Sequence, residues 1–350
     1  GSGNVWVGTF GGGLNVLDRT HAVIDQFRHE PGVAASLSDD RVMALLTDAA
    51  GSIWAGTMTG GLNRIDPATG AVTTYRHDPR NPNSLAADGI MALHQDSGGA
   101  LWVGTFGGGV SRFDAAAGSF VNFPHDPDDP ASLSASRATS IVEDNHGVIW
   151  VGTDGGGVNR FDQDTGTWQH FIHDADDPAS LSADAVYALH VDDSGMLWIG
   201  TRSGLNQLAA YDPRTATARF RQPAPGSLST GEIYSIQSDQ RGNLWLGTAR
   251  GLQRYSPWGA TARSFHVSHG LQGEEFNFGA SFASGSGKLY FGGSNGFNVF
   301  DPAELSFNRQ PPAVVVTSVD VLNEPLATDQ PYERITEVNL GYEDDVVTFG

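Results

Sequence analysis

Residues 41–76 read RVMALLTDAAGSIWAGTMTGGLNRIDPATGAVTTYR, and this stretch decides the fold. Four short segments in it are rich in β-branched and aromatic residues. Turns of Gly, Asp and Pro separate the segments, which is the pattern of β-strands joined by tight turns. A helix is excluded because no segment keeps apolar residues at the i, i+3, i+4, i+7 spacing.

The same unit recurs along the whole chain. Its tryptophan appears at Trp6, Trp54, Trp102, Trp150 and Trp198, each 48 residues after the last, then at Trp245 after 47, and Tyr290 takes the position after another 45. Four antiparallel strands per unit in seven registers are typical of propeller blades. The sequence therefore predicts an all-β protein with a seven-bladed β-propeller, whose first blade is incomplete because its first strand is missing.

Residues that recur in every unit are interpreted as scaffold. The tryptophan repeats so evenly that it is expected to pack between blades, where each ring would bury ~150–250 Å². Turns such as Asp48-Ala49-Ala50-Gly51 are expected to be capped by the Asp side chain and closed by the Gly. They lack the alternating oxygen ligands and the closing Glu of a calcium loop.

Two further recurrent features could be mistaken for binding sites. The Gly-Thr-x-Gly-Gly-Gly stretches, for example Gly104 to Gly109, resemble phosphate loops, but no helix follows to hold an anion. The linker histidines recur every 48 residues, which places them on different blades, so a turn-stabilising role is favoured over a metal site. These histidines are His29, His77, His125 and His173.

Composition narrows the range of partners. The chain has 350 residues, a formal net charge of −20 and no cysteine, so disulfides and thiolate metal sites are excluded. Nucleic acids and anionic membrane surfaces would be repelled at long range. We expect no cofactor and no bound metal. No apolar stretch approaches the roughly 20 residues that a membrane helix needs.

The repeat D-x-x-G-x-[LIV]-W-[VIA]-G-T-x-x-G-G-[LV]-N-R-[FI]-D resembles that of the two-component regulator propeller family. The linkers, such as His77-Asp78-Pro79-Arg80-Asn81-Pro82-Asn83-Ser84-Leu85, resemble that family's linkers too. The last blade, from Phe265 to Asn277 and from Lys288 to Pro302, resembles its closing blade. Segments Pro311 to Val319 and Asp344 to Phe349 resemble the opening of the triple-tyrosine (Y_Y_Y) domain.

The resemblance implies a propeller over residues 1–310 and the start of an immunoglobulin-like β-sandwich over residues 311–350. It implies the periplasmic sensor region of a hybrid histidine kinase or a diguanylate cyclase. Such a parent protein would be anchored in the inner membrane and dimeric through the downstream domain. This segment would bind a ligand and catalyse nothing itself.

Residues that break the repeat on one loop face are the candidate ligand contacts. The turn between second and third strands is expected to share a face with the linkers between blades. A mixture of aromatic, acidic, basic and amide side chains there suits an oligosaccharide or another small molecule. The candidates are Phe10, Phe106, Asp154, Arg202, Arg250 and Asn295 on the turns, with Arg137, Tyr187 and Tyr234 from the first strands.

Two other classes of function remain open at this point. A protein-interaction scaffold needs only an exposed loop face. A propeller lyase or hydrolase would need acidic, histidine or metal groups over the channel. Glu232 and Asp154 are the isolated acidic candidates for such chemistry, and there is no Gly-x-Ser-x-Gly elbow.

Overall fold

The computed structural model describes residues 3–212, 214–223, 228, 231–305, 317–322, 324–326, 328, 332, 337 and 346–349. The chain divides into two compact units, Gly1–Pro302 and Ala303–Gly350. Seven consecutive antiparallel sheets make up the first unit, and each is one blade. The predicted seven-bladed β-propeller is confirmed.

Five blades have four strands. They are blade 2 with β4 (Val42–Thr47), β5 (Ile53–Thr57), β6 (Leu62–Ile65) and β7 (Val72–Tyr75); blade 3 with β8 (Ile90–Gln95), β9 (Leu101–Thr105), β10 (Val110–Asp114) and β11 (Ser119–Phe123); blade 4 with β12 (Ala138–Glu143), β13 (Ile149–Thr153), β14 (Val158–Asp162) and β15 (Thr167–Phe171); blade 5 with β16 (Val186–Val191), β17 (Leu197–Thr201), β18 (Gly204–Asp212) and β19 (Thr217–Arg221); and blade 6 with β20 (Ile233–Ser238), β21 (Leu244–Thr248), β22 (Gly251–Ser256) and β23 (Thr261–Phe265).

The first and last blades have three described strands each. Blade 1 contains β1 (Val5–Thr9), β2 (Gly13–Leu17) and β3 (Val23–Phe27), and blade 7 contains β24 (Phe276–Ala283), β25 (Leu289–Gly293) and β26 (Gly296–Phe300). Since β1 carries the Trp-Val-Gly-Thr motif of a second strand, blade 1 lacks its first strand, as predicted. Accordingly β1 is only half-buried, whereas the corresponding strands of blades 2 to 6 are buried along their whole length.

The repeated tryptophan packs one blade against the next. Trp102 of blade 3 is buried, and its ring lies 5.3 Å from that of Phe161 on the third strand of blade 4. The same contact joins Trp54 to Phe113, Trp150 to Tyr211, Trp198 to Tyr255 and Trp245 to Phe300. The predicted role of the tryptophan in inter-blade packing is confirmed.

The aspartate of the first turn does more than cap its backbone. Asp144 Oδ1 accepts hydrogen bonds from the backbone N–H groups of His146 and Val148, as the sequence predicts. Its Oδ2 also accepts the indole N–H of Trp150 at 2.8 Å. The equivalent pairs are Asp48 with Trp54, Asp96 with Trp102, Asp192 with Trp198 and Asp239 with Trp245. A buried indole N–H needs such a partner, so this bond ties turn and core together.

The linkers between blades fold over the turns between second and third strands. The linker histidines each hydrogen-bond through Nδ1 to a leucine carbonyl eight residues later, which confirms their turn-stabilising role. The N–H of Gly61 in the turn of blade 2 donates to the carbonyl of Asp88 in the following linker, at 2.9 Å. Turns and linkers therefore share one face of the propeller, as predicted, and we name it the linker face.

Blades 1 and 7 meet at His21. Its ring lies 6.0 Å from that of Tyr290 and 5.9 Å from that of Phe297, edge-on to both, and its Nε2 is 3.5 Å from the Tyr290 hydroxyl. Tyr290 occupies the tryptophan position of blade 7, so this seam uses a histidine where the other seams use an apolar side chain of the next blade.

The second unit contains a sheet in the order β28 (Glu324–Pro325), β27 (Val319–Val321), β29 (Val347–Phe349). The Tyr332 hydroxyl donates to the Leu326 carbonyl at 2.8 Å. An immunoglobulin-like sandwich needs two sheets, and the described residues form one, so the sandwich stays a prediction. Segment 311–316, on which the predicted domain boundary falls, lies outside the described residues.

Candidate functional site

The residue after each Gly-Thr pair is held by its backbone and presents its side chain on the linker face. The N–H of Phe106 donates to the Gly89 carbonyl at 2.7 Å, that of Asp154 to Arg137 at 3.0 Å and that of Arg202 to Ala185 at 2.9 Å. The backbone geometry is the same whichever side chain is present. Each blade therefore offers one position whose identity can change without cost to the scaffold.

Three of the predicted residues form a cluster between blades 3 and 4. The Arg137 guanidinium lies 4.3 Å from the centre of the Phe106 ring, and its Nη1 is 3.1 Å from Asp154 Oδ2. All three side chains are partly open to solvent, so the ion pair adds little stability. Its effect is to hold the guanidinium flat on the ring, with donors and an acceptor directed outward.

Two more predicted residues form an aromatic group on the inner strands of blades 5 to 7. The rings of Tyr187 and Tyr234 are 5.8 Å apart, and Phe278 lies 4.8 Å from the first and 4.3 Å from the second. The Tyr234 hydroxyl donates to Glu232 Oε2 at 2.5 Å. On its other side, Glu232 Oε1 lies 3.9 Å from Nε of Arg202.

Electrostatics link the two groups. Burial raises the pKa of Tyr187, and the carboxylates of Glu232 and Asp154 raise it further. Burial and the hydrogen bond to Glu232 likewise raise the pKa of Tyr234. Both phenols are therefore neutral donors at physiological pH. Because Asp154 and Glu232 both act on Tyr187, the two acidic residues that the sequence left isolated belong to one surface. We name this surface, formed by Phe106, Arg137, Asp154, Tyr187, Arg202, Glu232, Tyr234 and Phe278, the binding arc.

Phe278 was missed at the level of sequence. Strand β24 pairs Phe276 with Gly293 and next Ser281 with Phe291, so a wide bulge intervenes. Gly279 within the bulge has φ +61°, and Phe278 is 47% exposed beside the channel. The signal was available in the spacing: Ile233 stands 12 residues before Trp245, whereas Phe276 stands 14 before Tyr290. Two extra residues in an inner strand predict a bulge that redirects a side chain.

The other three predicted residues lie elsewhere on the linker face. Phe10 is 68% exposed and forms an isolated β-bridge with Arg41 of blade 2. The N–H of Arg250 donates to Thr248 Oγ1 at 3.0 Å within its own turn. Asn295 is tied to the preceding linker, where its N–H donates to Gln272 Oε1 at 2.8 Å and its Nδ2 to the Gln272 carbonyl at 3.3 Å. No contact in the structure joins these three to the binding arc.

Searches of the described residues for two other kinds of feature give negative results. No group of three His, Asp or Glu side chains in that part of the chain could hold a metal ion. Nor does any helix there have the length and apolar character needed to cross a membrane.

Comparison with known proteins starts from the repeat. The profile of the family described as two component regulator propeller matches residues 132–155, 180–203 and 227–250, which begin blades 4, 5 and 6. Three blades carry this family's repeat. The recognition made from the repeat pattern is confirmed to that extent, and nothing tests the Y_Y_Y domain. No curated protein matches the chain.

Solved structures resemble the chain over most of its length. The extracellular domain of BT3049 from B. thetaiotaomicron, described as a hybrid two component system, gives a TM-score of 0.76 at 24% identity and covers 92% of this chain and 40% of its own. The corresponding domain of BT4673 gives 0.66 at 21%, covering 95% and 44%. Virginiamycin B lyase from Staphylococcus aureus gives 0.58 at 14%, covering 85% and 90%. The chain thus spans about two fifths of the two Bacteroides structures, and these likenesses establish the propeller fold.

Proposed function

We propose that this chain is the ligand-binding part of an extracytoplasmic sensor in a membrane signalling receptor, and that its ligand is a carbohydrate. The observation that carries the proposal is the binding arc, which crosses blades 3 to 7 on one face. The regulator-propeller repeat in blades 4 to 6 supports the sensor role. So do the titles of the two Bacteroides structures, both extracellular domains of two component systems.

The chemistry of the arc suits a sugar. Phe106 and Phe278 expose apolar ring area on which the apolar face of a pyranose can stack. Between them Arg137 is paired with Asp154, and Arg202 lies near Glu232, so donors and acceptors alternate while the local charge nearly cancels. A neutral polyhydroxylated chain needs this combination of stacking surface and fixed polar groups. A strongly charged ligand would have to break the ion pairs.

The arrangement also suggests how a signal would begin. A ligand lying along the arc contacts five blades and so favours one relative arrangement of those blades over others. Such differential binding shifts a conformational equilibrium. In the proposed receptor the parent protein is anchored in the inner membrane, faces the periplasm and is dimeric through its downstream domain, and it signals through a kinase or a diguanylate cyclase.

The test is a thermal-shift screen of the purified chain against plant, algal and animal oligosaccharides. We expect one glycan class to raise Tm in a concentration-dependent way. Asp154→Ala, Arg202→Ala and Phe278→Ala should each remove that rise. Met58→Ala is the matched control, because Met58 holds the same turn position on blade 2, outside the arc, and this variant should keep the full response.

The other outcomes assign the arc to a different class. No shift with any glycan in the folded protein would contradict carbohydrate sensing and favour the protein-interaction scaffold, for which exposed Phe10, Phe106 and Phe278 would be the anchors. Cleavage of the bound glycan, detected by product analysis, would make the arc a catalytic site of the lyase or hydrolase class.

A further inference from the structure

The seam between blades 1 and 2 departs from the packing rule of the other seams. At the seam of blades 3 and 4, Trp102 and Phe123 are covered by Phe161 and Trp168 of the next blade. Trp6 and Phe27 are the equivalents on blade 1. The two positions that cover them on blade 2 carry Ile65 and Val72, which have no rings.

A cavity of about 440 Å³ opens at this seam. Trp6 and Phe27 form its apolar wall, with ring centres 5.6 Å apart and planes 29° from parallel. Ile24, which is 54% exposed, extends the wall. Asp25 and the turn 67–70, with Thr69, complete the lining. Trp6 is half-buried, whereas Trp54 and Trp102 are only 3% and 1% exposed.

The lining restricts the charge of what can enter. Asp25 is its one ionised side chain among the residues that the structure describes there, and no Lys or Arg takes part. One oxygen of Asp25 accepts the N–H of Gln26 at 2.8 Å. Its other oxygen and the hydroxyl of Thr69 lie beside the ring wall. Uronates, sulfated sugars and phosphates would meet a carboxylate with no counter-charge, so anions are disfavoured.

We propose that this cavity is a second binding site, which takes a neutral mono- or disaccharide by stacking a sugar ring against Trp6 and Phe27 and hydrogen-bonding its hydroxyls to Asp25. The volume lies within the ~300–1,000 Å³ of small-molecule pockets. The turn between third and fourth strands lines the cavity, so it opens on the face opposite the linker face. The proposal does not depend on the binding arc or on the sensor role.

The experiment follows the indole N–H resonance of Trp6 by NMR in the whole chain, assigned with Trp6→Phe. The probes are methyl glucopyranosides, methyl galactopyranosides, cellobiose and maltose, with glucuronate and indole as the contrasting ligands. We expect saturable shifts at millimolar concentrations of at least one neutral sugar and none with glucuronate. Asp25→Asn should weaken binding roughly tenfold, as expected for one lost bond to a charged group.

A cavity-filling variant makes the test specific. Val72→Trp supplies the ring that Trp168 supplies at the seam of blades 3 and 4, and it should abolish the sugar-induced shift while raising Tm. If that variant does not fold, Ile24→Ser and Asp25→Asn still decide, because both positions are at the surface.

Three results would overturn the proposal: no saturable shift with any neutral sugar, a response to indole alone, or sugar shifts that survive in both Val72→Trp and Asp25→Asn. Phe278→Ala and Asp154→Ala should leave the Trp6 shift unchanged. Failure at this seam and failure at the binding arc are therefore read separately.

Discussion

At the residue scale, the bond between turn aspartate and indole is the feature that most directly joins local to tertiary structure. We predict that Asp144→Ala lowers the free energy of unfolding by about 2–3 kcal/mol, because the buried Trp150 N–H loses its partner together with two capping bonds. Urea denaturation measures the loss. Asp164→Ala, in an exposed turn of the same blade, should stay within about 0.5 kcal/mol of the parent protein.

A second residue-scale prediction concerns His94 on β8. Burial lowers its pKa, and its Nε2 is buried without a hydrogen-bond partner. The unfolded chain binds a proton below about pH 6.5 that the folded protein refuses, so this histidine reduces stability as pH falls through that value and has no effect well above it. His94→Leu places there the residue that Leu46 supplies in blade 2. The variant should flatten the decline in urea midpoint between pH 8 and pH 5. His146→Asn, in an exposed turn, should leave the decline as it is, and an unaltered slope in His94→Leu would refute the prediction.

At the element scale, the turn between second and third strands depends on glycine at one position more than at another. Gly107 and Gly109 both have positive φ, +113° and +77°. A Cβ on Gly109 would lie 2.4 Å from the Phe123 carbonyl oxygen, whereas one on Gly107 would meet nothing within 4 Å. Gly109→Ala should therefore destabilise the protein by at least about 1 kcal/mol more than Gly107→Ala, since only the former adds a backbone clash to backbone strain. Equal unfolding midpoints would contradict this.

Sequence alone was sufficient for the elements but only partly sufficient for the site. The 48-residue period fixes strand number and order, because each blade must repeat the same contacts. It also identifies the linker face, since Phe106, Asp154 and Arg202 follow the same Gly-Thr pair. The meeting of Asp154, Tyr187 and Glu232 was out of reach, because it depends on how neighbouring inner strands are placed around the channel. Phe278 was missed for a different reason, since its bulge shows only as two extra residues in β24.

At the scale of the whole molecule, the seams of the ring differ in kind. Aromatic rings close the seams from blade 2 through blade 7, whereas His21 joins blade 1 to Tyr290 and Phe297 of blade 7. We predict that His21→Ala increases amide hydrogen exchange in β1 to β3 and in β25 and β26 several-fold, and leaves β12 to β19 unaffected. Arg214→Ala, at a side chain 93% exposed, serves as the control. Uniformly faster exchange in all blades would show that this seam does not open separately.

The turn position after each Gly-Thr pair has a consequence for evolution. Its backbone bonds are the same with Phe106, Asp154 or Arg202, so mutation there changes recognition while folding proceeds as before. Each blade contributes one such letter, and the letters are read together on a single face. Descendants of one ancestral gene can therefore acquire new ligands by independent point mutations, one blade at a time, without passing through misfolded intermediates.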